Sequence, residues 1–334
     1  MDGFDGGRAV PQLGAIADDF TGATDLATNL VSRGFRTVVT IGVPAVPTLS
    51  PEADAVVVAL RTRTASKEAA VTQSLQAYGT LHALGVRQVY LKYCSTFDST
   101  PGGNIGPVAD ALVDATSARG AVVVPAFPAN RRTVYQGVLF ADGKPLAEGS
   151  MAMHPLTPMT DSDVTRLLAP QTRHRVGLVR HEVVRRGPAA VRSALDAEHV
   201  RGCVLVVVDA IDDGDLRTIA AATAAHPLVT GGSGLALGMT PPDSAHERDP
   251  RRLPVVPDSP RVVLVGSMSA ASRRQVAHAR RTMPSQQLDP SSARTRPDEV
   301  VEELVRWVQD QWAQSPNQPV LVHSADGGTR AAGS

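Results

Sequence analysis

Two adjacent carboxylates, Asp18 and Asp19, follow a short apolar run in Ala15-Ile-Ala-Asp-Asp-Phe-Thr-Gly-Ala-Thr-Asp25. A buried strand that runs into an acidic turn and then a helix places such residues at the carboxyl end of the strand, where open α/β sheets bind ligands. Thr21 and Gly22 open the helix. Gly22 lets a ligand approach the backbone, and free amides at a helix start can hold an anion. Paired carboxylates beside an anion site suit a polyol: both accept hydroxyl hydrogen bonds, and one can act as general base. The competing reading is that Asp19 or Thr21 merely caps the helix.

A second constellation is Lys92-Tyr-Cys-Ser-Thr-Phe-Asp-Ser-Thr-Pro-Gly-Gly-Asn-Ile-Gly106, again strand, polar loop and helix. Ser95, Thr96, Ser99, Thr100 and the Asn104 amide are neutral donors and acceptors that fit a hydroxy acid better than an apolar ligand. Lys92 can neutralise a carboxylate, and Asp98 can hold a hydroxyl or orient Lys92. The plainer alternative is a Gly/Ser turn with Asn104 as a helix N-cap. Arg61 and Arg63 close another expected strand in Leu60-Arg-Thr-Arg-Thr64, where guanidinium groups could take a carboxylate in bidentate fashion or stand as solvated charge. His154, in a Pro- and Thr-rich stretch, is either a base near neutrality or a loop residue held by the backbone.

Thr230-Gly-Gly-Ser-Gly-Leu-Ala236 sits between an expected strand and an expected helix, a geometry suited to anion capture by backbone amides. Gly266-Ser-Met-Ser269 occupies the same kind of position further on, with a Ser-rich helix cap as its alternative reading. The sequence has no GxxxxGK[ST], which argues against a P-loop kinase, and no GxGxxG after the first strand, which argues against a nicotinamide-dependent oxidoreductase.

These loops need strands and helices to aim them. Short Val/Ile/Leu runs alternate with longer Ala-rich amphipathic stretches, the pattern of βα units in a largely parallel sheet, so the class is α/β. Strands are expected at 13–17, 37–41, 55–60, 88–92, 121–125, 204–208, 228–230, 262–265 and 320–322. Helices are expected at 23–32, 67–84, 105–118, 161–169, 189–197, 216–224, 270–281 and 298–314, with Thr160 and Asp163 as a capping pair for the fourth. Between Arg132 and Ser150 the pattern changes to a hairpin about Asp142-Gly143, expected to serve as a flap or dimer contact. Residues 241–260 are rich in proline and charge and read as a linker. The chain thus divides into 1–240, the linker 241–260, and 261–334.

With 43% hydrophobic residues in 334, there is ample material for a buried core. Lys plus Arg and Asp plus Glu balance at 33 each, so no net field recruits nucleic acid or an anionic membrane. No apolar run is long enough for a membrane span and no signal peptide is evident, so the cytoplasm is the expected location. Cys94 and Cys203 stand far apart without metal-ligand spacing, so no metal site built from the protein is expected.

Taken in order, IADDFTGATD, KYCSTFDSTPGGNIG, PAFPANRRTVYQGVLF, HPLTPMTDSDV, TGGSGLA and VLVGSMSAAS resemble the four-carbon acid-sugar kinase family along nearly the whole chain. The CSTFDS form together with HPLTPMTDS resembles the branch acting on 3-oxo-tetronates. The resemblance implies an N-terminal domain for the sugar acid, a C-terminal domain for ATP with Mg²⁺, and transfer to the terminal hydroxyl. It places Asp18 and Asp19 at the reacting hydroxyl. It places Arg61, Lys92, Ser95 and Asn104 around the acid, and Gly232, Ser233, Gly234, Ser267 and Ser269 near ATP. Members of the family continue beyond the strand resembling 319–323 into a further Gly-rich nucleotide loop, so 261–334 is expected to be a partial nucleotide-binding domain. A sugar-acid-binding protein without turnover, and a threonate or erythronate kinase, are the alternatives. A homodimer is compatible with the hairpin reading.

Overall fold

The computed structural model describes residues 10–44, 53–153, 158–242, 259–267 and 270–324. His154, Ser269 and most of the expected linker lie outside these residues. The chain forms two compact units, Met1–Arg252 and Leu253–Ser334.

In the first unit the strands are β1 (Leu13–Ala17), β2 (Thr37–Ile41), β3 (Ala55–Ala59), β4 (Gln88–Lys92), β5 (Ala121–Val124), β6 (Arg132–Tyr135), β7 (Val138–Ala141), β8 (Lys144–Pro145), β9 (Arg175–Val179), β10 (Cys203–Val208) and β11 (Leu228–Gly231). Eight of them make one sheet, ordered β2-β3-β1-β4-β11-β5-β10-β9, with every pairing parallel. The helices are α1 (Phe20–Ser32), α2 (Lys67–Ala83), α3 (Ile105–Thr116), α4 (Val164–Leu168), α5 (His181–Val184), α6 (Pro188–Val200) and α7 (Asp213–Thr223). Continuous apolar runs such as LGAIA and AVVVA are buried along their whole length because the sheet is covered on both faces.

The chain leaves β1 through α1 for β2 and β3 on one side, then crosses through α2 to β4 on the other. The connection therefore reverses about β1, and the loops after β1, β3 and β4 open around a crevice at the carboxyl edge.

The expected strands and helices form, and the differences have local causes. Strand β9 was not foreseen: Arg175-Val-Gly-Leu-Val179 lies at the sheet edge, alternates in burial and carries a glycine, so it lacks the apolar run of a central strand. The fourth helix begins at Val164 rather than Asp161. Asp163 alone caps it, its carboxylate accepting from the amides of Thr165 (2.8 Å) and Arg166 (3.2 Å). The expected helix after the Gly-Gly-Ser-Gly run is a 3₁₀ turn, Ser233–Gly238.

The inserted segment is a three-stranded antiparallel sheet, β6-β7-β8, with two turns rather than one. Gln136-Gly137 and Asp142-Gly143 both adopt positive φ (53° and 76°, 54° and 80°), the left-handed pair that tight hairpin turns require. This sheet does not hang as a free flap. Val134 and Ala210 exchange backbone hydrogen bonds of 2.8 and 3.0 Å, and the buried Asp209 carboxylate accepts from the amides of Gln136 (2.7 Å), Gly137 (2.9 Å) and His181 (3.0 Å).

The second unit holds β12 (Val262–Val265), β13 (Ser285–Gln287) and β14 (Val320–His323), paired in parallel in the order β12-β14-β13, with α8 (Ala270–Ala279), α9 (Pro290–Thr295) and α10 (Pro297–Gln314). Strand β13 contains no apolar residue and exists by pairing with β14, which is why periodicity did not reveal it.

Candidate functional site

Asp18 and Asp19 leave β1 at the carboxyl edge, where Asp19 becomes the N-cap of α1: its Oδ1 accepts from the Gly22 amide at 3.0 Å. The capping reading and the functional one thus share a residue. The chain after β3 folds back onto this turn, the amides of Thr62 and Arg63 both donating to the Asp18 carbonyl. That return brings Arg63 onto the two carboxylates. Its Nε and Nη2 donate to the two oxygens of Asp18, each at 2.8 Å, and Nη2 also reaches Asp19 Oδ1 at 2.8 Å.

The three groups differ in access. The Asp18 side chain is 13% exposed, Arg63 24% and Asp19 29%. Burial pushes the Asp18 carboxyl above the usual carboxylate range, against the opposing pull of Arg63 and Lys92. Burial alone would lower the Arg63 guanidinium, but the hydrogen bonds and charge of Asp18 outweigh it and raise its pKa, so Arg63 stays protonated.

Lys92 is 3% exposed and donates from Nζ to the Tyr93 carbonyl at 2.7 Å. Gly22 makes room for it: a Cβ there would stand 2.7 Å from Lys92 Nζ and 2.3 Å from Asp19 Oδ1. The glycine is therefore required by the charged cluster itself.

Arg61, expected to meet the acid, is exposed at the end of β3, whereas Arg63 occupies the centre of the cluster. Asn104 stands at the N-cap position of α3 but makes no capping bond. Its amide nitrogen donates instead to the carbonyls of Thr62 (2.8 Å) and Ala65 (2.9 Å), fastening the loop that carries Arg63. Ser95 is half-buried, and its Cα lies 3.1 Å from where a Cβ on Gly232 would be.

The glycines after β11 are tightly packed. Added Cβ atoms would lie 2.5 Å from the Val124 carbonyl oxygen at Gly231, 2.8 Å from that of Pro125 at Gly232, and 2.4 Å from that of Ala126 at Gly234. Their absence of side chains lets this loop run flush along the chain leaving β5. Ser233 between them is 1% exposed. Ser267, in the second unit, is exposed.

Behind the charged cluster, Asp18, Thr62, Arg63, Tyr93, Asp98 and Ser99 help line a cavity of about 20 Å³, room for roughly one water. On the outer side of the cluster Asp19 and Arg63 keep part of their side chains exposed. There the arrangement offers an accessible carboxylate to a hydroxyl and an accessible guanidinium to an anion. Among the described residues no group of three or more His, Cys, Asp or Glu could hold a metal ion, and no helix is long and apolar enough to cross a membrane.

Known proteins match this chain in two segments. A sugar-binding N-terminal domain family matches residues 13–239, and a nucleotide-binding C-terminal domain family matches 262–333. A 3-oxo-tetronate kinase of Burkholderia multivorans is 47% identical over 319 residues, covering 94% of this chain and 73% of its own. One from Escherichia coli K12 is 46% identical over 280 residues, covering 83% and 72%. A crystal structure from Salmonella typhimurium LT2, described as a tRNA synthase, superposes with a TM-score of 0.80 at 40% identity, covering 94% of this chain and 74% of its own. A Bordetella bronchiseptica protein crystallised as a domain-swapped dimer with citrate superposes at 0.57 with 25% identity, covering 97% and 76%.

Proposed function

This chain belongs to the four-carbon acid-sugar kinase family, and from that premise we propose that it transfers the γ-phosphoryl group of ATP to the 4-hydroxyl of a 3-oxo-tetronate. The observation that carries the reading is the Asp18–Arg63–Asp19 cluster at the carboxyl edge of the matched sugar-binding domain. The choice of acid follows the relatives that share 47% and 44% of their residues with it.

Asp19 is the more exposed carboxylate, so it receives the acceptor hydroxyl and takes its proton as that oxygen bonds to phosphorus and the bond to ADP breaks. Asp18 is turned inward and keeps Arg63 in place. The inner cluster of Asp18, Asp19, Arg63 and Lys92 sums to zero formal charge, so an anionic substrate needs a further cation, a role we assign to exposed Arg61. Lys92 is buried, its charge favours the ionised form of Asp18, and its Nζ lies beside Gly22 in the first turn of α1. Ser95 lines the same edge, and Asn104 acts through the Arg63 loop.

The family resemblance directs Gly232, Ser233, Gly234, Ser267 and Ser269 toward ATP. ATP with Mg²⁺ supplies the phosphoryl group and neutralises its charge. A cytoplasmic setting is expected, and a homodimer is compatible with it.

ADP release with ATP, Mg²⁺ and a panel of 3-oxo-tetronates, threonate and erythronate tests the reading, with calorimetric binding of each acid alongside. Turnover confined to a 3-oxo-tetronate supports it. Turnover on threonate or erythronate moves the chain to another branch, and binding without ADP release makes it a sugar-acid-binding protein.

A further inference from the structure

The loop after β11 is held by two side chains that the reaction itself does not use. The Tyr90 hydroxyl, fully buried on β4, donates to the Gly232 carbonyl, and Asn29 Nδ2 on α1 donates to the next carbonyl, Ser233, at 3.0 Å. The Gly232 amide donates to the Val124 carbonyl on β5 at 3.0 Å. Consecutive peptide units are thus fixed from three elements, and because each peptide is planar, fixing its carbonyl also fixes its plane. Gly231 permits this close passage along β5: a Cβ there would lie 2.5 Å from the Val124 carbonyl oxygen.

The two holding elements are the ones that carry the acid site. Strand β4 delivers Lys92 and the Ser95 loop, and α1 begins at Asp19 and Gly22. We infer that Tyr90 and Asn29 are positioning residues for phosphoryl transfer, setting the Gly232–Ser233 peptides at a fixed offset from Ser95 and Asp19. This rests on the kinase reading above. Tyr93 braces the same strand, its hydroxyl meeting the Thr230 hydroxyl at 3.0 Å, which in turn donates to the Val122 carbonyl at 2.8 Å. A variant at Tyr90 therefore perturbs the loop without freeing β11.

Acid binding depends on the charged cluster at β1 and β3, whereas transfer depends on alignment, and a misplacement of about 1 Å can cost on the order of 100-fold. Tyr90→Phe keeps the ring and loses the hydroxyl. It and Asn29→Ala should each lower kcat about tenfold while leaving the calorimetric Kd for the acid within about twofold. Amide hydrogen exchange over 231–236 should quicken in both variants. A kcat within twofold of the parent overturns the inference, as does a joint loss of kcat and acid affinity with a lowered melting temperature, the mark of a merely structural role. If the parent releases no ADP with any acid, the kinase reading fails and this inference falls with it; unchanged exchange over 231–236 in an active parent's variants overturns the inference alone.

Discussion

Arg63→Met removes the fork that joins Asp18 to Asp19 while keeping most of its volume. Both Asp18 oxygens lose a partner at 2.8 Å, on a side chain only 13% exposed. Breaking a buried pair by deleting one member costs about 3–5 kcal/mol, and because Lys92 remains nearby and Arg63 is 24% exposed the lower end applies, about 3 kcal/mol. For a unit of this size, at about 2–4 °C per kcal/mol, its melting transition should fall by roughly 6–12 °C at neutral to alkaline pH. The pH dependence identifies the cause. Burial already raises the Asp18 carboxyl, and losing Arg63 raises it further. A carboxyl with a raised folded pKa binds its proton more tightly when folded, so its contribution favours folding at low pH and is lost as pH rises through the folded value. The gap between variant and parent should therefore narrow from about pH 8 to about pH 5. Adding Asp18→Asn should recover much of the loss, because it removes the carboxylate that Arg63→Met left without its partner. Scanning calorimetry of the parent, the single variant and the double variant measures all of this. A gap equal at both pH values, or a double variant no more stable than the single, would refute the assignment of Arg63 as the partner of a buried Asp18.

Asp19→Asn keeps the cap oxygen for the Gly22 amide but cannot take a proton, so kcat should fall about 10²–10⁴-fold; turnover within a few-fold of the parent would remove Asp19 from that role. Gly22→Ala forces Asp19 Oδ1 and Lys92 Nζ to move, so kcat/KM should drop at least about 100-fold with a small change in melting temperature. Asp209→Asn cannot accept from all three amides of Gln136, Gly137 and His181; the loss of one such bond, about 1.5–3 kcal/mol, should appear as a lower urea midpoint. In the second unit Val262, Val263 and Leu264 are 45%, 40% and 72% exposed on the edge strand β12, so the chain should self-associate with concentration, and Leu264→Lys should reverse that in light scattering.

How far the sequence could be read depended on whether a residue's role was local. The strands of the main sheet were legible because burial on both faces writes itself as a continuous apolar run, and β9 escaped because an edge strand does not need one. The acidic turn was legible because strand, Asp-Asp, Gly and helix follow one another within a few residues. Arg63 was visible only as one of two arginines. Which of the pair turns inward is decided by the Thr62 and Arg63 amides bonding back to Asp18, a contact spanning more than forty residues that leaves no mark in the spacing. Asn104 takes the N-cap position, but its amide reaches carbonyls some forty residues upstream, so neither that position nor its polar loop reveals what it holds.

The glycines carry the same lesson in a sharper form. A Gly-Gly-Ser-Gly run after a strand is what a phosphate-binding loop requires, and it is equally what close passage of one backbone along another requires. The contacts of 2.4–2.8 Å that Cβ atoms at Gly232 and Gly234 would make with the Pro125 and Ala126 carbonyls already suffice to demand glycine there. At Gly22 the demand comes from the charged side chains of the cluster, since the atoms a methyl group would strike are Asp19 Oδ1 and Lys92 Nζ. The two substitutions should therefore fail differently. Gly234→Ala meets the Ala126 carbonyl oxygen and Phe127 Cα, backbone that cannot step aside, and should lower the melting temperature by several degrees. Gly22→Ala meets the ends of movable side chains, so the fold yields and the chemistry is lost. Equal losses of stability in the two variants would mean that the charged cluster is as rigid as the sheet beneath it.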